Sequence, residues 1–268
     1  MLELRVGETF DTTAATPGAA ARTAGTEEAG LSVADRLKFF VTADGRELRV
    51  SATLEPVYEV KAFSRIGFRM IRRVLAKRGD KEEELGPHQV TQLSTADLLR
   101  VDLSTIARGV GRLQAETEQQ LSLIVPISFT SLASQNGRTE LVQQLGQAGS
   151  LVKLGVISEI VGVEGVPQGA LLSAATLVRP FSLLVVGRLY DVTPKTIQRL
   201  EGAGLQALAF DCPLGLPDTD FLAWGAQTMA AAKRVAKSVL VYGADTPARA
   251  GTLATLGATH VSVGASPR

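Results

Sequence analysis

Arginine and acidic residues recur in one kind of place along this chain, where a short apolar run gives way to a polar turn. Arg72, Arg138 and Arg188 supply guanidinium groups, Glu159, Asp191 and Asp211 supply carboxylates, and Ser128 and Thr130 add hydroxyls. A guanidinium pairs bidentately with phosphate, and a carboxylate accepts from the donor edge of a guanine base. Nucleophilic catalysis has little to draw on. The histidines are His88, after Gly86 and Pro87, and His260, at the start of the last apolar run, and the single cysteine is Cys212. No Ser-His-Asp or Cys-His arrangement can be assembled from them at one end of a fold. A hard metal wants several clustered oxygen ligands, and only Glu159 and Asp211 make a convincing pair. Neither a metal nor a cofactor is expected. Trp224, the one tryptophan, closes the stretch CPLGLPDTDFLAW (212–224) and either stacks on a base or packs on its own helix.

The elements that must position these residues read as alternating strands and helices. Segments 47–60 and 67–75 alternate as two strands around KAFSRI (61–66), and the charge run 77–84 reads as a solvated loop. A helix from Ser94 places Leu103, Ile106, Val110 and Leu113 on one face. Six buried strands follow, at 121–129, 151–161, 181–189, 205–211, 238–245 and 259–264. Helices between them begin near Arg138, Pro167, Thr193, Asp220 and Thr246. Thr193 and Thr246 are N-caps, each followed by Pro, and Gly204 and Gly257 stand where C-terminal caps belong. Two early strands and six later ones close a (β/α)8 barrel, whose functional face lies at the C-terminal ends of its strands. A doubly wound sheet would carry a glycine-rich phosphate loop after its first strand, and no GxGxxG follows any strand here.

Composition narrows the classes further. The chain has 268 residues, 45% hydrophobic and 21% charged, with a net charge of +1. That balance argues against a protein that tracks nucleic acid. No apolar run approaches the roughly 20 residues of a membrane span, so a cytoplasmic protein is expected. Residues 12–30 are small or polar and cannot bury enough surface to order themselves. The expected organisation is a low-complexity, mostly disordered arm (1–45) before a barrel (46–268).

The order of motifs resembles the EAL domain, a barrel that in active members hydrolyses cyclic di-GMP with two divalent metals. The resemblance covers 48–264 and implies a TIM-like (β/α)8 barrel of the EAL type with an antiparallel first strand. Glu55-Pro56-Val57 occupies the family's opening Gln-Pro-Ile-like segment. Phe68-Arg69-Met70-Ile71-Arg72 falls on Glu-Ala-Leu-Leu-Arg, so Phe68 replaces a metal-binding Glu while Arg72 keeps the phosphate-contacting Arg. Val125-Pro126-Ile127-Ser128 matches Val-Asn-Leu-Ser with Pro126 for the metal-binding Asn, and Glu159-Ile160-Val161-Gly162 keeps the first carboxylate of Glu-Ile-Thr-Glu. The Asp-Asp-Phe-Gly segment is absent, its strand ending in Val186-Gly187-Arg188. Ala209-Phe210-Asp211 keeps the Asp of Lys-Ile-Asp without the Lys. Tyr242-Gly243-Ala244-Asp245-Thr246 stands for Glu-Gly-Val-Glu-Thr without its first Glu, and Thr255-Leu256-Gly257 matches the Leu-Gly turn.

Two-metal hydrolysis needs several carboxylates around the ions. The resemblance therefore implies the fold and a ligand class, while the substitutions argue against the reaction. The expectation is a non-catalytic receptor for a guanine-nucleotide second messenger, cyclic di-GMP first and (p)ppGpp second, signalling through a mobile loop at 212–223. Arg188-Leu189-Tyr190-Asp191 also spells an Arg-x-x-Asp pattern found in cyclic di-GMP sites. The competing expectation is a protein-interaction scaffold that binds no nucleotide. Arg72 and Arg188 are expected to be replaceable without loss of stability.

Overall fold

The computed structural model describes residues 39–115, 122–151 and 155–264. The proposed disordered stretch 12–30, the side chain of Leu113 and residues 121 and 152–154 of the expected strands lie outside them, while Leu151, expected to open a strand, ends a helix. The chain divides into Met1–Phe40, of which Phe39 and Phe40 are described, and Val41–Arg268, which forms the barrel.

The barrel opens with a long hairpin, β1 (Glu47–Glu59) and β2 (Ser64–Arg78), extended by β3 (Lys81–Glu84). Six strands follow: β4 (Ser122–Ser128), β5 (Val156–Val161), β6 (Leu184–Arg188), β7 (Ala207–Asp211), β8 (Ser238–Ala244) and β9 (His260–Val263). β2 and β4 to β9 run parallel in that order, and β1 closes the circle antiparallel to both β9 and β2. Eight strands close the barrel, with an antiparallel first strand as expected. Every residue of β4 and β5 is buried, because helices cover one side and the barrel interior the other.

The charge run departs from its expected conformation. Lys81–Glu84 is not a loop but an edge strand paired with the end of β2, with Arg73–Glu84 at 2.8 Å and Arg78–Glu83 at 3.1 Å. All four of its side chains are exposed, so it has no apolar face for periodicity to detect.

The helices are α1 (Pro87–Thr91), α2 (Thr95–Ala115), α3 (Phe129–Ala133), α4 (Gln135–Leu151), α5 (Gln168–Val178), α6 (Pro194–Gln198), α7 (Asp218–Val235) and α8 (Pro247–Leu256). Thr193 and Thr246 cap α6 and α8 as expected, each hydroxyl accepting from the backbone N–H three residues on, with Pro at the first helical position. Gly257 ends α8 in the left-handed region at φ 110°, where a side chain would be strained. Gly204 sits further on; the α6 cap is Arg199. On α2, Ile106 and Val110 are buried as the spacing requires. No helix among the described residues is long and apolar enough to cross a membrane.

Two apolar clusters separate the inside of the barrel from its shell. One, made of strand residues alone, joins Val57, Ile124, Ile157, Val186, Ala209 and Leu240 inside the barrel. The other lies between the strands and the helices and holds Phe68, Met70, Phe210 and Phe221.

Candidate functional site

Side chains alternate across a strand, so the residues two steps beyond the inner apolar layer also point inward. On β5, β6, β7 and β8 these are Glu159, Arg188, Asp211 and Tyr242. Glu55 on β1 and Arg69 on β2 join them as a cross-strand pair. Arg69 is brought inside by a bulge. The β1–β2 register shifts between Val57 and Tyr58, whose partners are Gly67 and Arg65, leaving Ile66 as the extra residue. One inserted residue exchanges the faces of everything after it. Phe68 therefore packs in the outer shell beneath Arg65, 5.2 Å from ring centroid to guanidinium carbon, and Arg69 takes the inward position. This corrects the motif alignment, which set Phe68 at a metal-binding place.

The six side chains form one ionic cluster. An Arg188 Nη2 hydrogen donates to Asp211 Oδ2. Arg69 Nη1 lies 3.4 Å from Glu55 Oε2 and 3.8 Å from Asp211 Oδ1. Both guanidiniums rest against the Tyr242 ring, Arg69 at 4.0 Å and Arg188 at 4.9 Å from its centroid. Arg188 and Glu159 are each only 1% exposed. Burial alone would lower the Arg188 pKa, but the Glu159 and Asp211 carboxylates hold it above the ordinary value. Burial pushes the Glu55 carboxyl up, with the Arg69 charge opposing.

The cluster is not internally satisfied. Arg188 Nε and Nη1, Arg69 Nε, Glu159 Oε1, Asp211 Oδ1 and the Tyr242 hydroxyl are buried without a hydrogen bond of normal geometry. Buried polar atoms are seldom left so, and each costs about 1–3 kcal/mol. Above them a cleft of about 550 Å³ opens at the C-terminal ends of the strands. Arg69, Arg72, Glu159, Arg188 and Asp211 line it together with Tyr190, and Gly86, Pro87 and Val90 contribute to its wall. Tyr190 is 48% exposed, 5.4 Å from Arg188, its N–H donating to Glu164 Oε1 at 2.5 Å.

The two divalent metals implied by the resemblance do not suit these residues. The carboxylates that would ligate them already face guanidinium charge, and among the described residues no three His, Cys, Asp or Glu side chains gather as a ligand set.

The remaining candidates fall elsewhere. Arg72 lines the cleft but donates at 2.6 Å to Asp102 Oδ1 on α2. Ser128 binds the same carboxylate through its N–H and hydroxyl, each at 3.0 Å. Arg138 holds the Leu132 carbonyl at 3.0 Å and lines a separate groove between α3 and α5. Asp191 accepts from the Thr196 hydroxyl at 3.1 Å beside α6, outside the cleft, so the Arg188–Asp191 spacing does not converge on one ligand. Trp224 stacks on Phe221 at 5.8 Å and meets Phe210 edge-on at 6.0 Å, within the outer shell. The stretch 212–223 is a short turn plus the start of α7. Arg249 holds it through the Leu216 carbonyl at 2.5 Å and Asp218 at 3.4 Å. Cys212 is buried, which pushes its thiol up to about 11. The expectation that Arg72 and Arg188 stand clear of the core is also corrected, because both are largely buried and ion-paired.

Glu55, Tyr242 and Tyr190 complete the site without having been singled out as ligands. Tyr242 was hidden in the apolar run VLVYGA, and Glu55 in a strand that reads as a structural hairpin. Burial raises the Tyr242 pKa well above 10.0, and the neighbouring Glu159 charge adds to it. The stabilisation that follows is complete below that value and is lost as pH rises towards the folded-state value. In an alkaline titration followed by phenolate absorbance, one of the three tyrosines is expected to stay un-ionised until the protein unfolds. Reversible ionisation of all three in the folded protein would contradict this burial.

No family model matches the sequence, and neither does any curated relative. Solved structures do match. The PaMucR phosphodiesterase in complex with c-di-GMP superposes with a TM-score of 0.58 at 14% identity over 80% of this chain and 93% of that one. The FimX EAL domain from Pseudomonas aeruginosa bound to c-di-GMP gives 0.57 at 16% identity, covering 80% and 88%. The Bacillus subtilis YkuI protein, with an EAL domain in complex with c-di-GMP and calcium, gives 0.59 at 15% identity, covering 80% of this chain and 53% of that one. Identities this low speak to architecture alone. The barrel described above is the fold of the EAL-domain structures.

Proposed function

We propose that the cleft binds a guanine-nucleotide second messenger, cyclic di-GMP before (p)ppGpp, and does not hydrolyse it. The observation that carries this reading is the set of unsatisfied polar atoms beneath the cleft. Guanidinium N–H donors of Arg69 and Arg188 suit phosphate or the O6/N7 edge of guanine, and Glu159 Oε1 and Asp211 Oδ1 are acceptors for its N–H groups. The cleft volume falls within the roughly 300–1,000 Å³ usual for small-molecule sites. Tyr190 offers an exposed ring beside them. Fold similarity to structures that contain c-di-GMP supports the ligand class. The absence of hydrolysis follows from a donor set that opposes guanidinium charge to its carboxylates. Signalling through 212–223, and a cytoplasmic setting without membrane or nucleic-acid partners, belong to the same proposal.

Calorimetry with cyclic di-GMP and with ppGpp, each with magnesium and with chelator, tests it. Metal-independent binding is expected, with no linear product. Arg69→Met should weaken binding about ten- to a hundredfold, the effect of one charge-assisted hydrogen bond. Hydrogen exchange over 212–223 should slow on binding. Enzyme-dependent linear product, or no binding of either nucleotide, would overturn the reading. One feature favours the protein-scaffold alternative. The groove between α3 and α5, about 870 Å³, is lined by Phe129, Leu132 and Leu177 and carries an exposed Leu172.

A further inference from the structure

We infer that the groove between α3 and α5 is a docking site for an amphipathic helix of a partner protein, and that Arg138 anchors a carboxylate of that helix. This holds whether or not the cleft takes a nucleotide, because the groove and the cleft share no lining residue. The groove encloses about 870 Å³. Leu132 is buried in it, Phe129 and Leu177 are half-buried against the core, and Leu172 is 43% exposed. Arg138, in the first turn of α4, is the one charged residue of the lining. Its Nε donates to the Leu132 carbonyl at 3.0 Å and its Nη2 to the Ala133 carbonyl at 3.5 Å. Those bonds hold the guanidinium on the last turn of α3, while Nη1 makes none among the described residues. A guanidinium held in this way loses little freedom when it takes up a carboxylate.

The lining decides what kind of chain can lie there. Its other polar side chains, Ser173 and Thr176, donate their hydroxyl hydrogens back to the Gly169 and Leu172 carbonyls of α5 at 2.9 and 2.7 Å. The backbone of α5 is likewise occupied by its own helical bonds. An extended segment would bury its N–H and C=O groups against a surface with no ladder to offer. A helix satisfies its own backbone and asks the groove for apolar contact alone. The α5 part of the lining runs from Gly169 to Leu177, about 12 Å of helix, which matches two turns of a guest. That length takes apolar side chains at i, i+3 or i+4, and i+7. No carboxylate lines the groove, so an acidic residue of the guest meets Arg138 unopposed and a basic one is repelled.

The test uses the whole chain and synthetic stapled helices with leucine at i, i+4 and i+7. Glutamate stands one turn before or one turn after the leucines, and sister peptides carry lysine in its place. Fluorescence anisotropy should show one saturable site for a glutamate peptide and about tenfold weaker binding of its lysine sister. Arg138→Glu should reverse that preference. Gly169→Leu places a side chain where a Cβ would meet nothing within 4 Å, so it should keep the wild-type Tm and abolish binding. All of this is read without nucleotide, so failure here and failure of nucleotide binding are separate results. No binding of any glutamate peptide, equal affinity for glutamate and lysine, or wild-type binding by Gly169→Leu would each overturn the inference. Saturable binding of dodecanoate without binding of a helix would assign the groove to an acyl chain and overturn it too. Should Gly169→Leu fail to fold, Leu172→Gln decides, since that position is exposed. A loss of about tenfold in helix affinity upholds the site, and undiminished affinity overturns it.

Discussion

Arg72→Ala is expected to cost about 3–5 kcal/mol of folding stability, the usual effect of stripping one partner from a buried ion pair. For a chain of this size that is a fall in Tm on the order of 10 °C. The reason lies on α2. Asp102 is 0% exposed, and its carboxylate is held by Arg72 at 2.6 Å and by the Ser128 N–H and hydroxyl at 3.0 Å. Burial already lifts its pKa above 3.8, and Arg72 is the foremost group opposing that rise. Without the guanidinium the pKa rises further. A raised folded-state pKa means stability that is present in acid and lost as pH climbs through that value, so the variant's deficit should shrink on acidification. Urea unfolding across the acid range reads both effects. Adding Asp102→Asn to Arg72→Ala should recover much of the loss, since no buried charge then remains. A deficit below about 1 kcal/mol would mean that solvent reaches Asp102 despite its burial.

Gly67→Ala is expected to be nearly as damaging. Gly67 lies near the start of β2, paired antiparallel with Val57 of β1 on one side and parallel with Ser122 of β4 on the other. A Cβ there would stand 2.2 Å from the Ser122 carbonyl oxygen and 2.8 Å from its carbon. Both are backbone atoms of a buried strand and cannot rotate away. The seam must part, at a cost of about 3 kcal/mol. Gly111→Ala provides the contrast. Its Cβ would meet nothing within 4 Å on an exposed helical position, so a gain of roughly 0.5–1 kcal/mol from helix propensity is expected. Equal unfolding midpoints for Gly67→Ala and wild type would contradict the close approach.

The barrel was legible because its signals are local and repeated. LLVV and VLVY announce strands buried on both faces, and Thr-Pro pairs at 193 and 246 announce helix starts. The site was legible in part. Glu159, Arg188 and Asp211 could be placed by counting to the ends of their strands. The failures share a cause, since facing is a cumulative property of a strand. The inserted Ile66 leaves no mark in composition, yet it decides that Arg69 rather than Phe68 points inward. The partners of Arg72 and Ser128 were equally hidden. Their common acceptor, Asp102, sits within a helical pattern and becomes an ion-pair partner only once α2 packs against β2 and β4.

Trp224 lies edge-on to Phe210 and stacked on Phe221, in the layer between strand and helix rather than over the cleft. As the only tryptophan it dominates the intrinsic fluorescence of the protein. That emission will therefore report whether α7 is seated on the barrel wall. It is a gauge of the outer shell, and a flat fluorescence trace during a nucleotide titration would say nothing about occupancy. An optical reporter of the cleft has to be introduced, and Tyr190→Trp is the position the geometry offers.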